Sequence, residues 1–256
     1  MQLFDTHFHY YPETSPQEYY DKISRPELTR LLAVGANYLE SLNARKFAEA
    51  IENSWFSAGV HPHSATDYLA APESFDQFIE AEKMVAVGEI GLDFFYENSI
   101  RSDQYQVMEQ FLNYALEWKR PAIIHCRDKD DCDDAYQDCY SMLRDFAGSG
   151  GRFVVHSFTG TAGWADKFLE LGAFIGVNGI VTFPRAKNVR DLLSIIPDER
   201  LLLETDSPYL APVPHRGKTN HPGLIIHVAE KIAELKQLTV EQVATLTSSN
   251  GCNFFL

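Results

Sequence analysis

Three things are scarce in this chain of 256 residues: cysteine, basic charge and unbroken apolar sequence. Only four cysteines occur (Cys126, Cys132, Cys139 and Cys252), and their spacing matches neither a zinc knuckle nor a dense disulfide framework. No run approaches the roughly 20 apolar residues that a membrane-crossing helix needs. The opening segment Met1–Tyr11 reads as a strand rather than as a basic region followed by an apolar one. These absences predict a cytoplasmic protein with reduced thiols and no membrane partner. Lys and Arg number 22 against 36 Asp and Glu, a formal charge of −14. A protein that grips long duplex DNA by its phosphates carries a basic face. None is visible, so any contact with nucleic acid should be local, weak outside the reacting centre, and helped by bound metal. Internal repeats, low-complexity stretches and composition breaks are also missing, which favours one domain over residues 1–256, and nothing marks an obligate protein partner.

What the chain does contain is an alternation of short apolar runs and longer amphipathic segments. The runs lie near Gln2–His7, Leu31–Gly35, Phe56–Val60, Met84–Ile90, Ala122–Cys126, Phe153–Ser157, Ala173–Val177 and Leu201–Asp206. Helical patterns fill the gaps at Ser99–Lys119, Asp134–Phe146, Ala162–Leu171 and Val189–Ile196, and two more follow at His227–Leu235 and Val240–Leu246. Eight strands, each followed by helical sequence, predict an α/β fold: a single (β/α)8 TIM barrel, for which about 250 residues is the usual length. A doubly wound open sheet is the alternative. It would less readily bring the ends of the first and eighth strands together.

Acid and imidazole side chains recur where those strands end. His7 and His9 close the first, Glu89 the fourth, His125 the fifth, His156 the sixth and Asp206 the eighth. In a parallel barrel all these ends meet at one mouth, where such enzymes keep their chemistry. Alternation of side chains puts Asp5 with His7, Val87 with Glu89, Ile123 with His125, Val154 with His156, and Leu202 with Glu204 and Asp206. Each candidate ligand then ends an apolar row facing the barrel axis. Asp5 and Glu204 fall one layer lower, either to orient an imidazole or as buried carboxylates that support the fold.

Taken singly these residues say little. A lone His-X-His is common on surfaces, a Glu at a strand end is more often solvated, and an isolated buried histidine is usually just hydrogen bonded. Together, four imidazoles and two carboxylates at equivalent strand ends predict a centre for divalent metal, with Glu89 able to bridge two ions. Asp206 can ligate and also accept a proton from an attacking water, whose pKa a metal lowers to roughly 7. The mixed donor set suits Zn, Mn or Fe, or Mg with more waters. Cys126, beside His125, reads better as a small core side chain than as a ligand.

The ordered motifs resemble the TatD family of metal-dependent deoxyribonucleases, within the amidohydrolase-like superfamily. They are Phe4-Asp5-Thr6-His7-Phe8-His9, Gly59-Val60-His61-Pro62-His63, Gly88-Glu89-Ile90-Gly91-Leu92-Asp93, His125-Cys126-Arg127-Asp128, His156-Ser157-Phe158-Thr159-Gly160 and Glu204-Thr205-Asp206-Ser207-Pro208. The resemblance runs from Phe4 to Phe255. It implies a TIM barrel with one to three divalent metals that hydrolyses phosphodiester bonds, with His7, His9, Glu89, His125, His156 and Asp206 at metal-binding positions. It also implies that His63 faces the substrate phosphate, while His61 shapes the loop. Two positions depart from the family pattern. Tyr11 stands where an Asp is frequent, and His221 replaces the acid of an Asn-Glu-Pro motif.

For substrate contacts, Arg127 and Arg216 are the stronger candidates and Arg185 and Lys218 the weaker, since guanidinium can grip two phosphate oxygens at once. Phe94, Phe95 and Tyr96 offer faces for a base, though three consecutive aromatics more often pack a loop. The expectation is a metal-dependent phosphodiesterase, a DNase of the exonuclease kind in which Asp206, Glu89 and His63 serve catalysis. A C–N or C–O ester hydrolase on the same scaffold is the alternative, and a non-catalytic metal-binding barrel a distant third.

Overall fold

The eight predicted strands all form. In a computed structural model covering residues 1–256 they are β1 (Leu3–Phe8), β2 (Leu28–Val34), β3 (Ser54–Ala58), β4 (Met84–Asp93), β5 (Ala122–Arg127), β6 (Phe153–Val155), β7 (Phe174–Val177) and β8 (Leu201–Leu203). They pair in parallel in chain order. A bridge from Phe8 to Ser207, with the Asp206 amide donating to the His7 carbonyl at 2.9 Å, ties the first strand to the chain leaving the last. The result is a (β/α)8 barrel. Its helices are α1 (Pro16–Ile23), α2 (Tyr38–Ala50), α3 (Ala65–Ala70), α4 (Asp76–Ile79), α5 (Arg101–Glu117), α6 (Asp134–Gly148), α7 (Ala162–Glu170), α8 (Lys187–Leu192), α9 (Ile225–Lys236) and α10 (Val240–Phe255). None is long and apolar enough to cross a membrane.

Two apolar clusters divide the core. The larger joins the outer faces of the strands to the helices; the smaller lies inside the barrel and draws on Phe4, Leu32, Val34, Val85, Ala86, Ile123, Val154 and Leu202. Alternation therefore works as expected on β5, β6 and β8. On β1 and β4 it does not. Val87 packs with the outer cluster, and a register shift between Val87 and Ile90 turns Glu89 inward. On β1 the inner residue is Phe4, and a shift between Asp5 and Phe8 re-aims the strand end. β6 and β8 also stop short of His156 and Asp206, because Ser157 and Asp206 take left-handed backbone conformations (φ 47° and 55°) that turn the chain off the sheet.

The last helix runs nine residues beyond its expected end, to Phe255. Thr247, Ser248 and Asn250 break the apolar period, yet all are buried with partners: Ser248 donates to the Gln2 carbonyl at 2.7 Å, and Asn250 to those of Asp198 (2.7 Å) and Leu201 (2.9 Å). Phe254 and Phe255 then join Phe4 and Phe174 in the inner cluster, closing the floor of the barrel. Replacing Asn250 with Ala removes the donor from the buried Leu201 carbonyl, while the Asp198 carbonyl keeps the Leu201 amide. The substitution should cost about 1–3 kcal/mol, read as a lowered urea midpoint; an unchanged midpoint would mean that the floor does not depend on those bonds.

Candidate metal centre

The strand ends open into a cavity of about 570 Å³ whose lining includes His9, His61, His63, Glu89, His125, His156 and Asp206. Glu89 is its hub. Oε1 lies 2.8 Å from His156 Nε2, 2.9 Å from His125 Nδ1 and 3.4 Å from His61 Nε2. Oε2 lies 3.4 Å from His7 Nε2 and 3.7 Å from His9 Nε2. Asp206 Oδ1 closes the other side, 3.6 Å from His9 Nε2 and 3.9 Å from His7 Nε2. Three groups bring all their ligating atoms within 4.8 Å of one another: His7–His9–Glu89, His7–His156–Asp206 and His61–Glu89–His125. All six residues expected from the strand ends meet here.

The outward nitrogens test whether these rings suit a cation. His9 Nδ1 lies 3.1 Å from the Val34 carbonyl, His125 Nε2 2.9 Å from Asp93 Oδ2, and His156 Nδ1 3.5 Å from Glu204 Oε1. His9 and His125 are thus oriented from behind by an oxygen, with the other nitrogen turned toward Glu89 or Asp206, as metal-binding histidines are, whereas His156 Nδ1 is only within ion-pair distance of Glu204 and His7 Nδ1 is buried without a partner. Electrostatics agrees. Burial works against ionising Glu89, but the imidazoles of His156, His61 and His125 outweigh it and hold the carboxyl well below its usual range. Burial also pushes His61 down, keeping its lone pair available.

Glu204 lies beneath His156 within ion-pair distance, and its Oε1 accepts from the Ser157 amide at 2.6 Å. Asp5 takes the other reading. It accepts from the Thr205 amide (2.9 Å), the Thr205 hydroxyl (2.6 Å) and the His7 amide (3.3 Å), so it fastens backbone rather than an imidazole. Burial pushes its carboxyl up to about 8 despite those bonds.

Two contributors escaped the sequence reading. His61 does shape its loop, its Nδ1 accepting from the His63 amide at 3.1 Å, but it also turns Nε2 to Glu89. Asp93 is the second. One oxygen bonds His63 Nε2 (3.0 Å) and His125 Nε2 (2.9 Å), and the other accepts the amides of Phe95 and Tyr96. The signal was present: continuing β4 past Ile90 puts Glu89, Gly91 and Asp93 in one row. Gly91 (φ 146°) permits it, because any Cβ there would collide with the His125 carbonyl.

This geometry has known counterparts. Residues 4–256 match the family model described as TatD related DNase. The chain belongs to that family. It is 34% identical over 257 residues to the metal-dependent hydrolase YabD of Bacillus subtilis (strain 168), covering 99% of this chain and 98% of that protein. The 3'-5' ssDNA/RNA exonuclease TatD of Pantoea ananatis is 34% identical over 235 residues, with 89% and 88% covered. Among solved structures, the TatD homologue YJJV of Escherichia coli K12 superposes with a TM-score of 0.86 at 26% identity, covering 99% of this chain and 97% of that one.

Within this TatD-family barrel the expected substrate contacts separate. His63 and Arg127 line the cavity, whereas Arg216, Arg185 and Lys218 do not. Arg216 is exposed and lies over the Phe183 ring, 4.3 Å from its centroid. Phe94 is fully buried, with Arg101 against its ring, so only Phe95 and Tyr96 remain near the mouth. The Cys126 thiol donates to the Ala135 carbonyl at 3.5 Å and joins none of the ligand groups. Of the departures from the family pattern, Tyr11 lines the mouth, its hydroxyl 3.2 Å from that of Tyr209. His221 lies outside the cavity, preceding the short turn Pro222–Leu224.

Proposed function

We propose that this protein is a metal-dependent phosphodiesterase that removes nucleotides from single-stranded DNA or from strand ends. The observation that carries it is the convergence of five imidazoles on Glu89 at the floor of a mouth whose only lining guanidinium, Arg127, has no carboxylate partner. One to three divalent cations fit the overlapping ligand groups His7, His9, Glu89, His61, His125, His156 and Asp206. When bound, such a cation supplies Lewis acidity, making water a nucleophile near neutral pH and offsetting charge on the phosphate.

The chain's own residues do the rest. Asp206, beside His9 and His7, takes the proton that the attacking water gives up. His63 is fixed through Nε2 by Asp93 and presents the rest of its ring to the phosphate. The Arg127 guanidinium lies over Phe95 and Tyr96, 4.3 Å and 5.0 Å from their centroids, and swings onto phosphate oxygens. A mouth this small admits a strand end more readily than an intact duplex, and a net charge of −14 keeps the remainder of the strand loosely held. A single domain over residues 1–256 and four free thiols suit a cytoplasmic enzyme.

End-labelled single-stranded DNA tests the reading. Stripped protein reloaded with magnesium, manganese or zinc should shorten it stepwise from the 3′ end, the polarity named for the Pantoea ananatis relative. Arg127→Gln should raise KM about tenfold, the loss of one charge-assisted contact. Intact DNA in every metal, with folded and loaded protein, sinks this assignment and sends the search to small esters and amides.

A further inference from the structure

A second cavity, of about 310 Å³, lies at the opposite end of the barrel from the metal centre. It is lined by Lys119 and Arg120, between α5 and β5, and by Ser149, Gly150, Gly151 and Arg152, between α6 and β6. Three cations thus face one small space in a protein of charge −14.

The obvious alternative is that they cap the carboxyl ends of α5 and α6, where carbonyls carry partial negative charge. This fold shows what such capping looks like elsewhere. Lys83 donates to the carbonyls of Ala48 and Ile51 at the end of α2, and Arg200 to that of Gly172 just beyond α7. Lys119, Arg120 and Arg152 make no such bond, and none forms an ion pair. The nearby acid Asp145 is engaged by Arg144 at 3.2 Å. The Arg152 guanidinium lies over the Phe254 ring, 5.6 Å from its centroid. Most tellingly, Arg120 Nε is buried without any partner. Buried donors are almost always satisfied, and this one is not, although the rest of the Arg120 side chain is partly exposed.

We propose that this cavity is a second binding site, for a small anion bearing a phosphoryl group. Arg120 and Arg152 supply forked donors for its oxygens, Lys119 adds charge at the rim, and the Ser149 hydroxyl adds a further donor. The volume accommodates inorganic phosphate with room to spare and the phosphate end of a mononucleotide. The site is separate from catalysis, since β5 begins at Ala122, two residues after Arg120, and carries His125 toward its other end.

Calorimetry on the metal-loaded protein, with inorganic phosphate as probe and deoxyadenosine monophosphate in a parallel arm, tests it. Wild type should show a binding event that weakens at least tenfold in Arg120→Gln/Arg152→Gln, while DNA digestion by the double variant stays unchanged. Lys119→Gln, on an exposed side chain, should weaken the same event several-fold and serves if the double variant fails to fold. Tighter binding of the nucleotide than of phosphate, with the excess lost in the double variant, would place the nucleoside in the cavity; equal loss of both probes in the double variant would assign recognition to the phosphoryl group alone. Identical affinity and stoichiometry for both probes in wild type and all variants overturns the proposal. Because the readout is heat rather than turnover, a failure here is distinct from a failure of the nuclease reading.

Discussion

Asp206→Asn should lower kcat on single-stranded DNA by about 10²–10⁴-fold, the usual worth of a positioned acid–base group, while the protein still binds metal. The substitution keeps size and shape, and the site has other donors. His7, His9 and Glu89 form one compact ligand group without Asp206, and His61, Glu89 and His125 form another. What disappears is the negative oxygen 3.6 Å from His9 Nε2, the group placed to take the proton from water. Glu89→Gln should behave differently. Glu89 belongs to both of those groups and faces five imidazoles, so losing its charge should cut metal content and turnover together. Metal analysis alongside single-turnover kinetics separates the two variants. If Asp206→Asn turns over DNA at the wild-type rate, Asp206 has no part in the proton transfer.

The parts of this centre legible in the sequence are those on regular strands. His125 and His156 follow inward-facing Ile123 and Val154 by two residues, so alternation located them and their common mouth. Glu89 reaches the centre against the parity that its sequence predicts, because β4 slips register just before it. Asp93 was lost to the same irregularity: with Gly88 and Gly91 flanking Glu89, the strand reads as finished at Ile90, although it continues three residues further. Arg216 stays outside the cavity for a different reason. A motif can place a residue on the correct loop without saying which way its side chain leaves, and the Phe183 ring takes this one outside the cavity. The end of α10 was hidden because its buried face is polar, satisfied by carbonyls of distant segments that no local period reveals. Alternation reports the regular core well; the groups that do chemistry here sit where the strands bend out of it.

Chelation should both abolish DNA digestion and lower the melting temperature, and the size of the second effect should grow with pH. A ligand present at 100 times its Kd stabilises the state it binds by about 2.7 kcal/mol, which for a chain of this length is on the order of 5–10 °C. The pH dependence follows from competition. Metal ligation needs neutral imidazole, so protons oppose it. In the metal-free protein, burial disfavours the charged form of His156, but Glu89 and Glu204 outweigh it and raise this pKa well above the ordinary histidine value. Asp93 and Glu89 likewise raise that of His125 against burial. A histidine raised in the folded state adds stability that is complete below its unfolded pKa of about 6.5 and fades as pH climbs through the folded value. The stripped protein therefore loses stability on going from pH 6 toward pH 8, over the same range in which the loaded protein gains it from tighter ligation. Calorimetric scans of both forms at three pH values should show the gap widening upward. A gap that is constant, or that narrows, would mean that the protons on His125 and His156 do not compete with the metal, and that the carboxylates dominate its affinity instead.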